Sequence, residues 1–349
     1  MNHLVIMAGG VGSRFWPMST PQKPKQFIDV LGTGRTLLQL TVDRFSGICP
    51  MENVWVVTSV KYRELVKEQL PGIPESNILL EPCMRNTAPC IAYVAWKIKK
   101  KDAGANLVIS PADHIVTDTA EFGRVIREGL KFVEAGDRIL TLGMCPSRAE
   151  TGYGYIKIKT EPESQEEIRE VEGFKEKPDL QTARRYLEEG GYYWNAGIFL
   201  WSVKTLEKAF RANQPEIAAL FDSLEDAMYT VGEQDAIDRV FPECPNISID
   251  YAVMEKARNI YVFPANFGWS DLGTWGSLYE QLPKDAADNA VIGGNVRMVE
   301  SRGCVVHVAG DKKMVLQGLE DYIIAEENGV MLICKKADEQ RIKEFSAGV

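Results

Sequence analysis

The chain has 349 residues, 45% hydrophobic and 26% charged, which excludes a mostly disordered or fibrous protein and allows one large domain or two ordinary ones. Forty Lys plus Arg against forty-nine Asp plus Glu leave a formal net charge of −9. That balance disfavours broad capture of nucleic acid or an anionic membrane and leaves room only for a local basic cleft.

The N-terminus passes from a short apolar run directly to Gly9 and Gly10, without the long apolar stretch expected of a secretory signal. No segment reaches the roughly eighteen continuous apolar residues of a membrane-crossing helix, so a cytoplasmic location is expected. Seven cysteines, an odd number without CxxC spacing, and three histidines predict reduced, mostly buried thiols and argue against a histidine-built metal centre.

In chain order, Val5, Ile6 and Met7 form an apolar run that ends at Ala8, Gly9 and Gly10, the pattern of a buried strand feeding a permissive turn. Comparable runs at 54–58, 107–109 and 138–142 alternate with helix-like stretches at 62–69 and 88–99. This predicts a parallel α/β sheet with helices on both faces and ligands beyond the carboxyl ends of its strands. From about Gly152 the pattern changes. An aromatic, glycine-rich segment precedes a charged stretch at 161–176, which reads as a solvated face or loop. An apolar segment follows at 196–201, then helices at 203–210 and 215–224. These pieces build a substrate-side subdomain or merely thicken the wall of one domain.

The polar run 282–289 is the expected boundary between a catalytic domain, 1–282, and a C-terminal β domain, 283–349. Beyond it, short apolar runs at 291–299, 305–308, 314–316, 322–325 and 330–334 are split by Gly303, Gly310, Gly318 and Gly329. They predict an appended β domain or a short β-helix.

Gly9, Gly10, Gly12 and Ser13 follow the opening strand, so their amides can turn around a phosphate without side-chain obstruction. The segment is not a dinucleotide fingerprint, because Phe15 stands where a third glycine is required, and the lysine arrangement of a Walker A loop is absent. The stretch 13–28 holds Arg14, Lys23 and Lys25 and no Asp or Glu. Three cations beside an amide-rich turn suit a nucleoside triphosphate; an ordinary solvated basic loop is the competing account.

Asp113 lies just past the run 107–109, and Asp271 lies far away in a Gly-Trp-Ser-Asp-Leu-Gly turn. Two such carboxylates can bracket Mg2+ while phosphate oxygens and water complete its coordination. Each alone fits a cap or turn equally well. His114 orients Asp113 or satisfies the loop. Glu176 and Lys177 precede Pro178; Lys177 can bind a second substrate's phosphate and Glu176 can accept its hydroxyl hydrogens, or the two form a surface ion pair. Tyr192, Tyr193, Trp194 and Asn195 supply aromatic walls and an amide, suited to a sugar or to a packed core.

Taken together, AGGVGSRFWP at 8–17, PKQF at 24–27, EPCMRNTAP at 81–89, PADH at 111–114, TGYGYI at 151–156, FKEKP at 174–178, WNAGIF at 194–199, SIDYAVMEK at 248–256 and WSDLGTW at 269–275 form an ordered series. By it the chain resembles the bacterial mannose-1-phosphate guanylyltransferases, or GDP-mannose pyrophosphorylases, among the sugar-phosphate nucleotidyltransferases. The resemblance implies a Rossmann-like nucleotide-diphospho-sugar transferase domain with a small C-terminal β domain, a short left-handed β-helix being one form of it.

It further implies GTP over Ala8, Gly9, Gly10, Gly12, Ser13 and Arg14, with Lys25 also facing the phosphates. Glu81, Arg85 and Asn86 fall on the guanine side. Glu81 is the preferred acceptor for the N1 and N2 hydrogens, and Arg85 either reads the base or holds the loop. Mannose 1-phosphate is placed against Gly154, Glu176, Lys177 and Asn195, with Asp250 in support, and Mg2+ on Asp113 and Asp271. The implied reaction is in-line attack of the sugar phosphate on the α phosphorus of GTP, giving GDP-mannose and diphosphate. Arg14, Lys25, Lys177 and Mg2+ counter the charge, without a protein base or covalent intermediate.

Some family members carry a phosphomannose isomerase cupin, and the short segment after 283 leads us to expect the transferase alone, in a homodimer. The nearest alternative is another sugar-1-phosphate nucleotidyltransferase with a different base or sugar; a noncatalytic nucleotide-binding regulator is further off.

Overall fold

The computed structural model describes residues 1–10, 12–159 and 167–348. The fold forms two compact units. The first comprises Met1–Gly9, Val42–Pro111 and Val116–Trp269, and the second Gly10–Thr41, Ala112–Ile115 and Ser270–Val349. The glycine-rich and basic segment therefore packs with the C-terminal part of the chain, a partition that differs from a single cut near 282.

In the first unit the opening run forms strand Asn2–Met7, flanked in parallel by Val54–Ser59 and Asn106–Pro111, with Ile78–Glu81 outside Val54–Ser59. Ile139–Met144 and Ile260–Ala265 form a second parallel pair. The expectation of a parallel sheet is corrected at Tyr192–Ser202, which runs antiparallel between Asn106–Pro111 and Ile139–Met144. A central strand satisfies its backbone groups in either direction, and an apolar run encodes burial rather than polarity.

The charged stretch also differs from expectation. Its first residues, 161–166, lie outside the described residues, but Arg169–Lys175 is a strand paired antiparallel with Tyr155–Ile158. Ion pairs cross the two strands, Lys157 to Glu172 at 3.3 Å and Lys159 to Glu170, so opposite charges support a ladder that their polarity concealed.

Helix Thr87–Lys101 is buried from Ala88 to Ile98. Asn86 caps it by accepting from Thr87 N at 2.9 Å. Pro89 sits in the first turn, where no intrahelical N–H is needed, and Lys99, Lys100 and Lys101 complement the dipole in the last. Around it Trp96 meets Phe210 edge-on at 6.0 Å and Tyr93 stacks on Phe221 at 6.1 Å. Helices Val203–Asn213 and Pro215–Asp222 supply Leu206, Phe210, Ile217 and Phe221 to the same core as Val5 and Leu107. Of the two readings of this region, the structure therefore shows the thickened wall of one domain.

In the second unit, Ala290–Ile292, Val305–Val308 and Tyr322–Glu327 form one parallel ladder. Asn295–Val299 and Lys313–Gln317 form another, and Val330–Lys335 closes the first ladder in antiparallel. Successive stretches of chain thus stack, one strand to each ladder. The run 291–299 breaks in two at Gly293 and Gly294, with φ of 68° and 58°. A Cβ on Gly293 would stand under 3.0 Å from the Val308 carbonyl, so only glycine turns this corner. The core of the unit joins Phe15, Met18 and Leu37 to Trp275, Leu278, Val305, Ile323 and Leu332. Among the described residues, no helix is long and apolar enough to cross a membrane, and the seven cysteines are free thiols, Cys145 being exposed.

Candidate active site

The basic loop is a folded element. Ser13–Phe15 and Lys25–Phe27 form short 3-10 turns that bury both phenylalanines, and Gln26 Nε2 donates to the Gly10 carbonyl at 2.8 Å. Arg14 stays exposed, its guanidinium donating to Gly273 O at 3.4 Å, and Lys23 lies exposed on a tight turn. Lys25, by contrast, is only 4% exposed. Its ammonium lies 3.1 Å from Asp113 Oδ2 and donates to the carbonyls of Asp271 at 3.0 Å and Leu272 at 2.7 Å.

One lysine therefore brings together the two aspartates that stand far apart in sequence. Leu272 holds φ at 46°, a costly backbone for a branched residue. Ser270 Oγ accepts from Leu272 N at 3.2 Å and Asp271 Oδ1 accepts from Gly273 N at 3.0 Å, which fixes the turn. Burial opposes ionisation of Asp113. Lys25 and His114, the latter 3.8 Å away, more than offset it and hold the carboxyl below its usual range.

Among the described residues, no three His, Cys, Asp or Glu side chains gather as a ready-made metal cage. Two carboxylates tied to one turn, with Asp113 a third exposed, are nevertheless the oxygen donors that suit Mg2+. This ion is commonly held by one or two carboxylates and completed by water and substrate phosphates.

In the first unit, Ala8 N donates to Val57 O at 2.8 Å, and Thr58 Oγ1 donates to Ala8 O at 2.8 Å, which secures the end of the opening strand. Glu81 ends strand Ile78–Glu81 and is 9% exposed. A Cβ on Gly9 would stand 3.4 Å from Glu81 Oε2, so the carboxylate lies against that glycine. Burial pushes the Glu81 carboxyl up to about 7, against the opposing hydrogen bond from the Cys90 thiol. Arg85 donates to the Pro242 carbonyl, a loop-holding contact. Asn86, at φ 64°, caps the helix that follows.

A second cluster in this unit gathers Gly154, Glu176, Lys177, Asn195 and Asp250. Asn195 N donates to Gly154 O at 2.8 Å and Lys177 N to Tyr153 O at 3.2 Å. A Cβ on Gly154 would come under 3.0 Å from Glu176 Oε2, so the glycine makes room for that carboxylate. Asn195 Nδ2 donates to Asp250 Oδ1 at 3.1 Å, while its Oδ1 accepts from Thr141 Oγ1 at 3.0 Å and Gly197 N at 3.1 Å. Lys177, at φ 45°, places its ammonium 3.0 Å from Glu176 Oε1. Burial would lower the lysine pKa, but Glu176 outweighs it and the net shift is upward. Asp250 opens a π-helical turn, Asp250–Met254; burial and then the Glu176 charge push its carboxyl up to about 6. Trp194 is buried and meets Tyr153 edge-on at 5.2 Å, and Tyr192 stacks on Tyr186 at 4.0 Å. These rings pack against protein.

Sequence reasoning missed Thr141, Gln26, Cys90 and the Leu272 carbonyl. Gln26 lies within the PKQF segment at 24–27, beside two lysines, a signal the sequence does carry. Thr141 and Cys90 lie in ordinary apolar stretches, and a backbone carbonyl leaves no mark in a sequence.

An α/β sheet with a glycine and cation segment after its first strand, two aspartates joined through one lysine, and a polar cluster around Asn195 is the pattern of a nucleotidyltransferase. Residues 3–288 match the nucleotidyl transferase family, and the chain belongs to it. Alginate biosynthesis protein AlgA of Pseudomonas aeruginosa is 38% identical over 345 residues, covering 97% of this chain and 70% of that protein. Mannose-1-phosphate guanylyltransferase of Salmonella montevideo is 36% identical over 348 residues, covering 98% and 72%. The crystal structure of mannose-1-phosphate geranyltransferase from Thermus thermophilus aligns with a TM-score of 0.88 at 31% identity, over 99% of this chain and 98% of that one. The chain is thus an enzyme of the sugar-nucleotide-forming transferases.

Proposed function

We propose that the protein is a mannose-1-phosphate guanylyltransferase, which joins GTP and α-D-mannose 1-phosphate into GDP-mannose and releases diphosphate. The observation that carries this reading is the convergence of Gly154, Glu176, Lys177, Asn195 and Asp250, drawn from four separate stretches of sequence, around a half-buried amide and carboxylates suited to sugar hydroxyls. The Salmonella relative, so named and 36% identical, supports the choice of base and sugar.

In this reading a phosphate oxygen of the sugar phosphate attacks the α phosphorus, and the bond to the bridging oxygen breaks, its electron pair leaving with diphosphate. The nucleophile is already an anion near neutral pH, so no protein base is required. Glu81 accepts the N1 and N2 hydrogens of guanine, a pattern that adenine does not offer. Glu176 and Asn195 hold the sugar hydroxyls. Lys177 neutralises the sugar phosphate and Arg14 the triphosphate, which lowers repulsion between the two anions as charge shifts to the leaving group. Mg2+, held by Asp113 and Asp271, would supply concentrated positive charge to the phosphate oxygens.

A matrix of GTP, ATP, UTP and dTTP against several sugar 1-phosphates, read as diphosphate release, tests the proposal. GTP with mannose 1-phosphate should exceed every other pair in kcat/KM by at least about tenfold. A different preferred base or sugar would reject the corresponding half of the assignment. The reading includes a cytoplasmic location and a homodimer, the latter checked by native mass measurement.

A further inference from the structure

Lys25 sits where a phosphate-facing lysine is not expected to sit. Its side chain is buried, and its three N–H donors meet three oxygens: Asp113 Oδ2 at 3.1 Å, Asp271 O at 3.0 Å and Leu272 O at 2.7 Å. A buried ammonium is costly unless paired and fully hydrogen-bonded, and here both conditions hold. Two of the acceptors belong to the turn that carries Asp271, whose Leu272 stands at φ 46°. The third is the carboxylate of Asp113, which is itself 33% exposed and so open to an incoming cation from its solvent side.

We propose that Lys25 is the resident counter-ion of the Asp113 and Asp271 pair: it neutralises Asp113 in the metal-free enzyme and is displaced from it when a divalent cation binds. An ammonium and a dication at one carboxylate repel each other strongly at about 3–4 Å separation. The lysine has the means to leave, since four methylenes let its head swing while its backbone stays in the Lys25–Phe27 turn. Held in place, it keeps the two aspartates together before substrate arrives; once displaced, it becomes a cation available to phosphates. Lys25 is in this respect a positioning residue with a second, later role.

The inference rests on Asp113 and Asp271 being the metal-holding pair. The test uses MgCl2 alone, without nucleotide, added to the full-length wild type and to Lys25→Met, Lys25→Arg and Lys25→Met/Asp113→Asn variants, with thermal unfolding and calorimetry as readouts. The Met variant should bind Mg2+ at least about tenfold more tightly than wild type, because the competing charge is gone. The Arg variant, which keeps that charge, should remain as weak as wild type, and the double variant should lose the gain. Equal Mg2+ affinity in wild type and Lys25→Met would overturn the counter-ion role and leave the metal assignment standing. Absence of any Mg2+ response in all four proteins would sink both.

Should Lys25→Met fail to fold, the wild type decides. Acylation of Lys25 by an amine-reactive reagent, followed by mass spectrometry, should speed up several-fold when Mg2+ is added. An unchanged rate would reject the displacement.

Discussion

Glu81 makes the sharpest residue-scale prediction, because its carboxyl is raised by burial to about 7 from an ordinary 4.5. The folded protein holds that proton more tightly than the unfolded chain does, so stability falls as pH rises between those two values. Glu81→Gln removes the titration. Its stability relative to wild type should therefore improve by up to about 3 kcal/mol between pH 5 and 8, measured by urea unfolding at each pH. GTP affinity should move the opposite way: the wild-type advantage over Glu81→Gln should grow as pH rises through 7, since only the ionised carboxylate accepts both guanine hydrogens. A pH-independent difference in both measurements would remove Glu81 from base recognition.

Gly154 makes a second prediction. Alanine there must push Glu176 aside, so Gly154→Ala should lower kcat/KM for mannose 1-phosphate about tenfold or more while leaving the KM for GTP nearly unchanged.

At the scale of the element, helix Thr87–Lys101 starts from an unusual residue. Asn86 combines a side-chain cap with φ at 64°, two demands that pull toward different substitutions. Asn86→Ala loses the cap and meets the full backbone penalty, about 2–3 kcal/mol together. Asn86→Gly loses the cap alone, about 1 kcal/mol or less. Chemical denaturation should rank them in that order, and the reverse order would mean that the positive φ relaxes freely. The strand Arg169–Lys175 teaches a different lesson. Its charges read as solvated chain, yet Glu172 meets Lys157 on the neighbouring strand and Glu170 meets Lys159 just past its end. Charge complementarity across a ladder is a property of two segments and is invisible in either one.

The core of the second unit shows why the basic loop depends on residues near the other end of the chain. Phe15, Met18 and Leu37 share a core with Trp275, Val305, Ile323 and Leu332, and Phe15 and Trp275 lie 5.6 Å apart. Truncation after residue 282 should therefore uncover this core, make the stretch 13–28 sensitive to limited proteolysis, and reduce nucleotidyl transfer by about 100-fold. Trp275→Ala should cost about 3–5 kcal/mol of stability by the same loss of burial. A truncated chain that keeps both protease resistance and turnover would show that the loop is held by other means.

Much of this architecture is legible in the residues alone. The apolar runs at 5–7, 54–58 and 107–109 mark strands, and the glycines at 293–294 and 303 mark turns, because each signal is local in sequence. Direction of pairing, choice of neighbour and the partner of a buried charge are set by chain segments far apart in sequence, and hydrophobic pattern carries none of them. That Tyr192–Ser202 runs antiparallel, that Arg85 holds Pro242, and that Lys25 turns to Asp113 were decided by tertiary structure. A buried strand accepts either polarity and a buried cation takes whichever oxygens the fold leaves beside it.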